Sequence, residues 1–183
     1  MKRFGFLYEQ IISVENCKTV ILNASKKKRK RKTVIMILEN IDYYAQELSD
    51  RMARLDFLTP YVKRIIRDGL SGKERELQIP SFYPDQCAHH AIMQIVQPIF
   101  LRSSYHWSCA NIQKRGIDLA CKGVERATMR DIKQAKYCAK MDISKFYPSI
   151  PHDKLKARLR EKIKDEKALA LIDAVIDSHE KGI

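Results

Sequence analysis

The chain has 183 residues, 45% of them hydrophobic, and 35 Lys and Arg against 22 Asp and Glu give it a net charge of +13. That apolar content excludes wholesale disorder, no apolar run approaches the about 18 residues of a membrane span, and the start MKRFGFLYEQIISVENC lacks the unbroken apolar core of a signal peptide. The cysteines Cys17, Cys87, Cys109, Cys121 and Cys138 are odd in number and form no CxxC pair, which argues against a disulfide framework and for a reducing, cytoplasmic setting, while the basic excess points to a polyanionic partner such as nucleic acid.

Leu7, Ile11, Val14, Cys17 and Ile21 recur at helical spacing and predict a first amphipathic helix. Residues 26–32 then read KKKRKRK. Lys26, Lys27, Lys28, Arg29, Lys30, Arg31 and Lys32 are either a solvated linker or an arm that contacts phosphates, and like-charge blocks of this kind stay unfolded until bound. Ile37, Ile41, Tyr44, Leu48, Met52 and Leu55 predict a second, longer helix, closed by Pro60. YVKRIIRD (61–68), the turn GLSG (69–72) and KERELQIP (73–80) predict two strands joined by a glycine-containing loop. In the second strand Lys73, Arg75 and Leu77 share one face, and Glu74, Glu76 and Gln78 the other. Such a hairpin is either a charged, solvent-facing ribbon or a scaffold that presents cations to a phosphate chain.

Asp85 suits the N-cap of a helix through Ala88, Ile92, Ile95 and Val96, interrupted at Pro98. SSYHWSCANIQKRG (103–116) reads as loop, and Ile117, Ala120, Cys121, Val124 and Ile132 as a further helix ending near Ala135. YCAKMDIS (137–144) alternates as a strand does, FYPSIPHD is a turn, and Pro151 suits the first turn of a helix. Leu155, Leu159 and Ile163, then Leu169, Ile172, Val175 and Ile176, predict two last helices. There is no internal repeat, and the expected class is α+β, rich in helix.

Asp142 is the most informative acid. At the end of an apolar strand and before a turn, a carboxylate can reach into a cleft and serve as an oxygen ligand for Mg²⁺, or it can simply cap the turn. Cys87, His89, His90, His106 and Cys109 supply CxHH and HxxC spacings that match no common zinc module, so no zinc is expected.

Three segments taken in order resemble reverse transcriptases, the RNA-directed DNA polymerases. KMDISKFYPSIPHDKL (140–155) is similar to their motif A. GKERELQIPSFYPDQCAHHAIMQIVQPIF (72–100) is similar to their first block, a basic strand, an IP exit, a loop and a helix ending in PIF. SCANIQKRGIDLA (108–120) is similar to the next, a serine-rich loop and a basic glycine turn leading into a helix. The likeness covers roughly residues 60 to 183, and SKFYPSI with the HHA helix is most like the enzymes of bacterial diversity-generating retroelements and prophages, ahead of group II intron and retron relatives.

The resemblance implies an incomplete right-hand polymerase without a thumb. Residues 1–84 would hold the N-terminal helices, basic arm and fingers hairpin; residues 85–150 the first part of the palm, including the motif A strand; and residues 151–183 helices returning to the fingers. It implies that Asp142 and the Ile143 carbonyl bind catalytic Mg²⁺ and that Lys73 and Arg75 grip the triphosphate of a dNTP. By the same likeness, the backbone N–H groups of Lys145 and Phe146 cradle that triphosphate and Tyr147 is the gate under the sugar. Residues 26–32 with Lys114 and Arg115 would bind nucleic acid. The implied partners are an RNA template, a DNA or RNA primer and dNTPs, with no membrane, in a bacterial or prophage-encoded cytoplasmic protein. Two departures stand out. Gln86 occupies a place where many relatives have arginine, and the P-x-G-x-x-x-S-Q and Y-x-D-D motifs of relatives are not among these residues. Two metal ions need more than one carboxylate and one carbonyl, so the chain is expected to be inactive alone. Apolar surface and an unpaired edge beside 137–144 would favour dimerisation. The competing reading is a nucleic-acid-binding module without chemistry, or a degenerate retroelement remnant.

Overall fold

The computed structural model describes residues 3–67, 69, 72, 74–130 and 135–179. Lys73, Ile132 and parts of the 69–72 turn lie outside the described residues. The chain divides into two compact units, residues 1–99 with 147–183, and residues 100–146.

The larger unit begins with two helices where one was expected. α1 (Tyr8–Ile12) ends at Ser13, whose hydroxyl accepts from Asn16 N and caps α2 (Val14–Ala24). Competition of this kind between a serine side chain and the helical backbone is invisible to apolar periodicity. The next expected helix is also broken, into α3 (Lys32–Glu39) and α4 (Ile41–Ala53), with Asn40 between them. Leu55, read as part of the apolar stripe, lies past the helix end with φ 58° and is exposed. Leu55 N–H bonds Met52 O and Asp56 N–H bonds Arg51 O, closing α4 with the paired bonds of a left-handed cap. Ile11, Val20, Ile21, Ile37, Leu48 and Met52 are fully buried and form the helical core.

β1 (Val62–Arg67) and β2 (Glu74–Ile79) form one antiparallel pair, with Val62 opposite Ile79 and Arg67 opposite Glu74. Almost the whole ribbon is exposed. An irregular turn, Phe82–Gln86, leads into α5 (Cys87–Leu101). Asp85 is not the N-cap expected of it. Its carboxylate is fully buried and accepts from Thr59 N, Thr59 Oγ1 and Ser81 Oγ instead. Pro98 does not end α5 either, because Val96 and Ile99 are buried on both sides of it and hold the helix in place. Asn16 ties α2 to α5: its Nδ2 donates to Ala91 O at 3.3 Å and its Oδ1 accepts from Gln94 Nε2 at 3.0 Å.

The chain then passes through α6 (Ile117–Arg130), which belongs to the smaller unit. After a short helical turn at Tyr147–Ser149, α7 (His152–Lys162) and α8 (Glu166–Asp177) complete the larger unit. Phe4 forms a parallel bridge with Ile163 between them. Asp165 caps two helices at once: Oδ2 accepts from Leu7 N and Tyr8 N at the start of α1, and Oδ1 from Ala168 N in α8. Arg160 pairs with Asp173, and Lys156 with Asp177, across α7 and α8.

In the smaller unit α6 buries none of its residues. Trp107 lies against Gly123 of this helix, with the Arg126 guanidinium 5.9 Å from its ring centre. The strand expected at 137–144 is absent, and residues 137–143 are exposed and irregular. A strand requires a neighbour to take its N–H and C=O groups. Among the described residues the strands are β1 and β2, and these are paired with each other. Alternating polarity chooses the faces of a strand but does not supply the partner.

Candidate nucleic-acid interface

The hairpin stands on a fixed base. Thr59, just before β1, and Ser81, just after β2, both bond the buried Asp85 carboxylate. Gln86 adds a third tie, its Nε2 donating to Pro80 O at 3.1 Å. The end of α8 supplies a fourth. His179 stacks on Tyr61 with ring centres 4.9 Å apart, its Nδ1 lies 3.0 Å from Gln78 Oε1, and the Tyr61 and Ser178 hydroxyls are 2.7 Å apart. Burial, reinforced by nearby His152, lowers the pKa of His179, which favours the neutral ring in this contact.

The register sorts the hairpin charges. Residues directly opposite one another share a face, so Arg75, Leu77 and Ile79 lie with Ile66, Arg64 and Val62. On the other face Lys63 pairs with Glu76 at 3.6 Å and Arg67 with Glu74 at 2.7 Å, which neutralises both cations. Arg64 therefore joins Arg75 on the opposite face. Sequence reading missed Arg64 because β1 had no assigned register. Its alternate spacing with Val62 and Ile66 was the available signal.

The run 26–32 is folded, against the expectation of a chain that orders only on binding. Ser25 is buried and its hydroxyl donates to Leu22 O; Lys28 N–H bonds Ser25 O, and Arg31 N–H bonds Lys28 O. Lys28 turns inward. Its Nζ donates to Gln86 Oε1 at 2.6 Å and lies 5.3 Å from the centre of the Phe82 ring. Lys26, Lys27, Arg29, Lys30, Arg31 and Lys32 remain exposed, and among the described residues none of the seven is paired with a carboxylate.

In the smaller unit, Arg115 Nη1 is directed at its own loop, donating to Tyr105 O at 2.9 Å and lying within 3.4 Å of Ser104 Oγ, His106 O and Ser108 O. It is a staple for residues 104–108 before it is a phosphate ligand. Lys114 beside it is exposed, with φ 64°.

No family model matches the chain. Over 121 residues, 63% of its length, it is 30% identical to an uncharacterised 91 kDa protein in the cob intron of Schizosaccharomyces pombe. The likeness is to an intron protein. It covers 14% of that protein, so the chain spans a small part of the relative it matches.

Asp142 is exposed, and its Oδ1 accepts from the N–H of the next residue, Ile143, at 2.9 Å. Among the described residues no three His, Cys, Asp or Glu side chains gather into a metal-binding group. Asp142 and the Ile143 carbonyl therefore do not fit a two-metal centre by themselves, and no chemical step through Mg²⁺ follows from this chain. Lys145 has φ 49°, in the left-handed region. Tyr147 opens the turn Tyr147–Ser149 and is exposed. Lys73 lies outside the described residues, whereas Arg75 is on β2.

Burial perturbs two thiols and two imidazoles in the larger unit. Burial pushes the Cys17 thiol up to about 12 and the Cys87 thiol likewise to about 12, even though Lys28 pulls the latter down. Such thiols are poor nucleophiles and poor metal ligands. Burial lowers the pKa of both His89 and His90. Among the described residues no helix is long and apolar enough to cross a membrane.

Proposed function

We propose that this chain is the template-holding part of an RNA-directed DNA polymerase of the intron or retroelement kind, and that its own contribution is to bind an RNA backbone beside the fingers hairpin. The observation that carries this reading is the pairing of two cationic surfaces with one anchored base: the ordered run 26–32, and the hairpin face bearing Arg64 and Arg75. The order of the three reverse-transcriptase-like segments and the likeness to an intron protein support the polymerase assignment. Guanidinium groups on a rigid ribbon suit phosphate oxygens, which they engage with two parallel donors. In this reading Lys73, Arg64 and Arg75 serve the triphosphate side and Tyr147 stands under the sugar, the roles that the motif resemblance implies for the larger unit.

Synthesis is not expected of the chain alone, because among the described residues Asp142 has no companion ligands. The test is a salt titration of binding to a labelled single-stranded RNA. Log affinity falls linearly with log salt, and replacing Lys26, Lys27, Arg29, Lys30 and Arg31 by Gln flattens the slope by about 0.7 for each phosphate that is no longer neutralised. A slope near zero, or one that the substitutions leave unchanged, would refute the reading. Asp142→Ala leaves RNA affinity unchanged, and template-directed extension of a primer by the pure chain would overturn the statement about synthesis.

A further inference from the structure

Seven consecutive cations repel one another, and a run of that composition is ordinarily solvated and mobile. Here it folds as successive turns between α2 and α3, with Lys28 turned away from the other six. The partners of Lys28 are an amide oxygen and an aromatic face, both neutral. They fix the ammonium without cancelling its charge. Gln86 passes the connection on, since its other end bonds Pro80 at the exit of β2. A continuous line of side-chain bonds thus joins the basic turn to the hairpin base.

The neighbouring helix start points the same way. α3 opens with Arg31 at its N-cap and Lys32 at its first position, and there is no acidic residue in its first turn. Cations there oppose the helix dipole, an arrangement relieved by an anion bound at that end.

We propose that Lys28 is the anchor of a preformed polyanion dock: seated on Gln86 and Phe82, it holds the turn 25–31 so that Lys26, Lys27, Arg29, Lys30 and Arg31 meet an RNA backbone as an ordered surface. The inference rests on the nucleic-acid-binding reading above and assigns Lys28 and Gln86 positioning roles within it. Preorganisation removes the ordering cost from the binding step.

The test uses the same labelled single-stranded RNA. Gln86→Leu changes no charge, so it lowers affinity by about tenfold, the worth of one hydrogen bond to a charged group, with the salt slope unchanged. Lys30→Gln, in contrast, lowers the slope by about 0.7. Lys28→Met weakens binding as Gln86→Leu does, the double variant is no weaker than either single one, and Lys28→Arg restores affinity. Circular dichroism melts establish that each variant is folded under the binding conditions. Amide exchange of the unsubstituted chain gives an answer that needs no variant: the N–H groups of Lys28 and Arg31 are protected before RNA is added. Three results would overturn the anchor: Gln86→Leu binding within about twofold of the parent, single losses that multiply in the double variant, or amides protected only after RNA is added. Loss of all salt-dependent binding by the unsubstituted chain would instead refute the nucleic-acid reading itself, while the exchange measurement still reports whether the turn is preformed.

Discussion

Replacing Asp85 by alanine removes the acceptor that joins both ends of the hairpin to α5. Three donors lose their partner: Thr59 N at 2.7 Å, Thr59 Oγ1 at 2.5 Å and Ser81 Oγ. A hydrogen bond to a charged group contributes about 1.5–3 kcal/mol, but removing a buried carboxylate also removes its desolvation cost. The two hydroxyls can rotate toward other acceptors, whereas the Thr59 N–H is fixed by the backbone. A net loss of about 2 kcal/mol results, set chiefly by that stranded donor. For a chain of this size such a loss lowers Tm by about 4–8 °C. Urea unfolding followed by circular dichroism measures it, and amide exchange places it, with the loss of protection concentrated at Val62 and Ile79. Asp85→Asn keeps an acceptor for Thr59 N and loses about half as much. Stability of Asp85→Ala within about 0.5 kcal/mol of the parent would show that the carboxylate does not hold the hairpin base, since that is the scatter of ordinary surface substitutions.

Asp165→Ala uncaps α1 and α8 together and costs about 2 kcal/mol, roughly 1 for each cap, measured by urea unfolding. Burial raises the pKa of this carboxyl, but the N–H groups of Tyr8, Ala168, Leu7 and Lys167 outweigh that and hold it below its ordinary value. Its contribution is therefore complete above the unfolded-state pKa and is lost as pH falls through the lower folded-state value, so the variant shows a shallower acid limb of stability against pH. A parallel acid limb in parent and variant would contradict the role. Gly123→Ala in a helix interior would ordinarily gain about 1 kcal/mol. Here the added Cβ meets the Trp107 ring at 2.7 Å, so the variant is destabilised instead. Trp107 is the single tryptophan, and its emission shifts as the ring is displaced; unchanged emission with raised stability would refute this packing.

Short-range patterns were the legible ones. Alternation on both sides of a glycine-containing turn announced the hairpin, and it is present. The apolar stripes placed the helices, although Ser13 and Asn40 cut two of them, because capping and breaking depend on local polar side chains rather than on periodicity. Charge counting marked residues 26–32 as the basic surface, yet nothing in KKKRKRK distinguishes Lys28 from its neighbours. Gln86, which is 58 residues away, and Phe82 do so. Of the site residues taken from the family resemblance, Arg75 lies on β2, and Lys145 and Tyr147 lie in the turns after Asp142.

The sequence by itself determined the basic excess that favours a polyanion, the helical content and the hairpin, since charge, a period near 3.6 and a period of 2 are properties of neighbouring residues. Tertiary structure alone decided three things: that Asp85 clamps the hairpin instead of capping a helix, that Arg64 shares a face with Arg75, and that residues 137–143 form no strand. The reason is common to all three. Hydrogen-bond partners and strand register are set by segments distant along the chain, and a backbone or carboxylate takes whichever donor the fold brings to it.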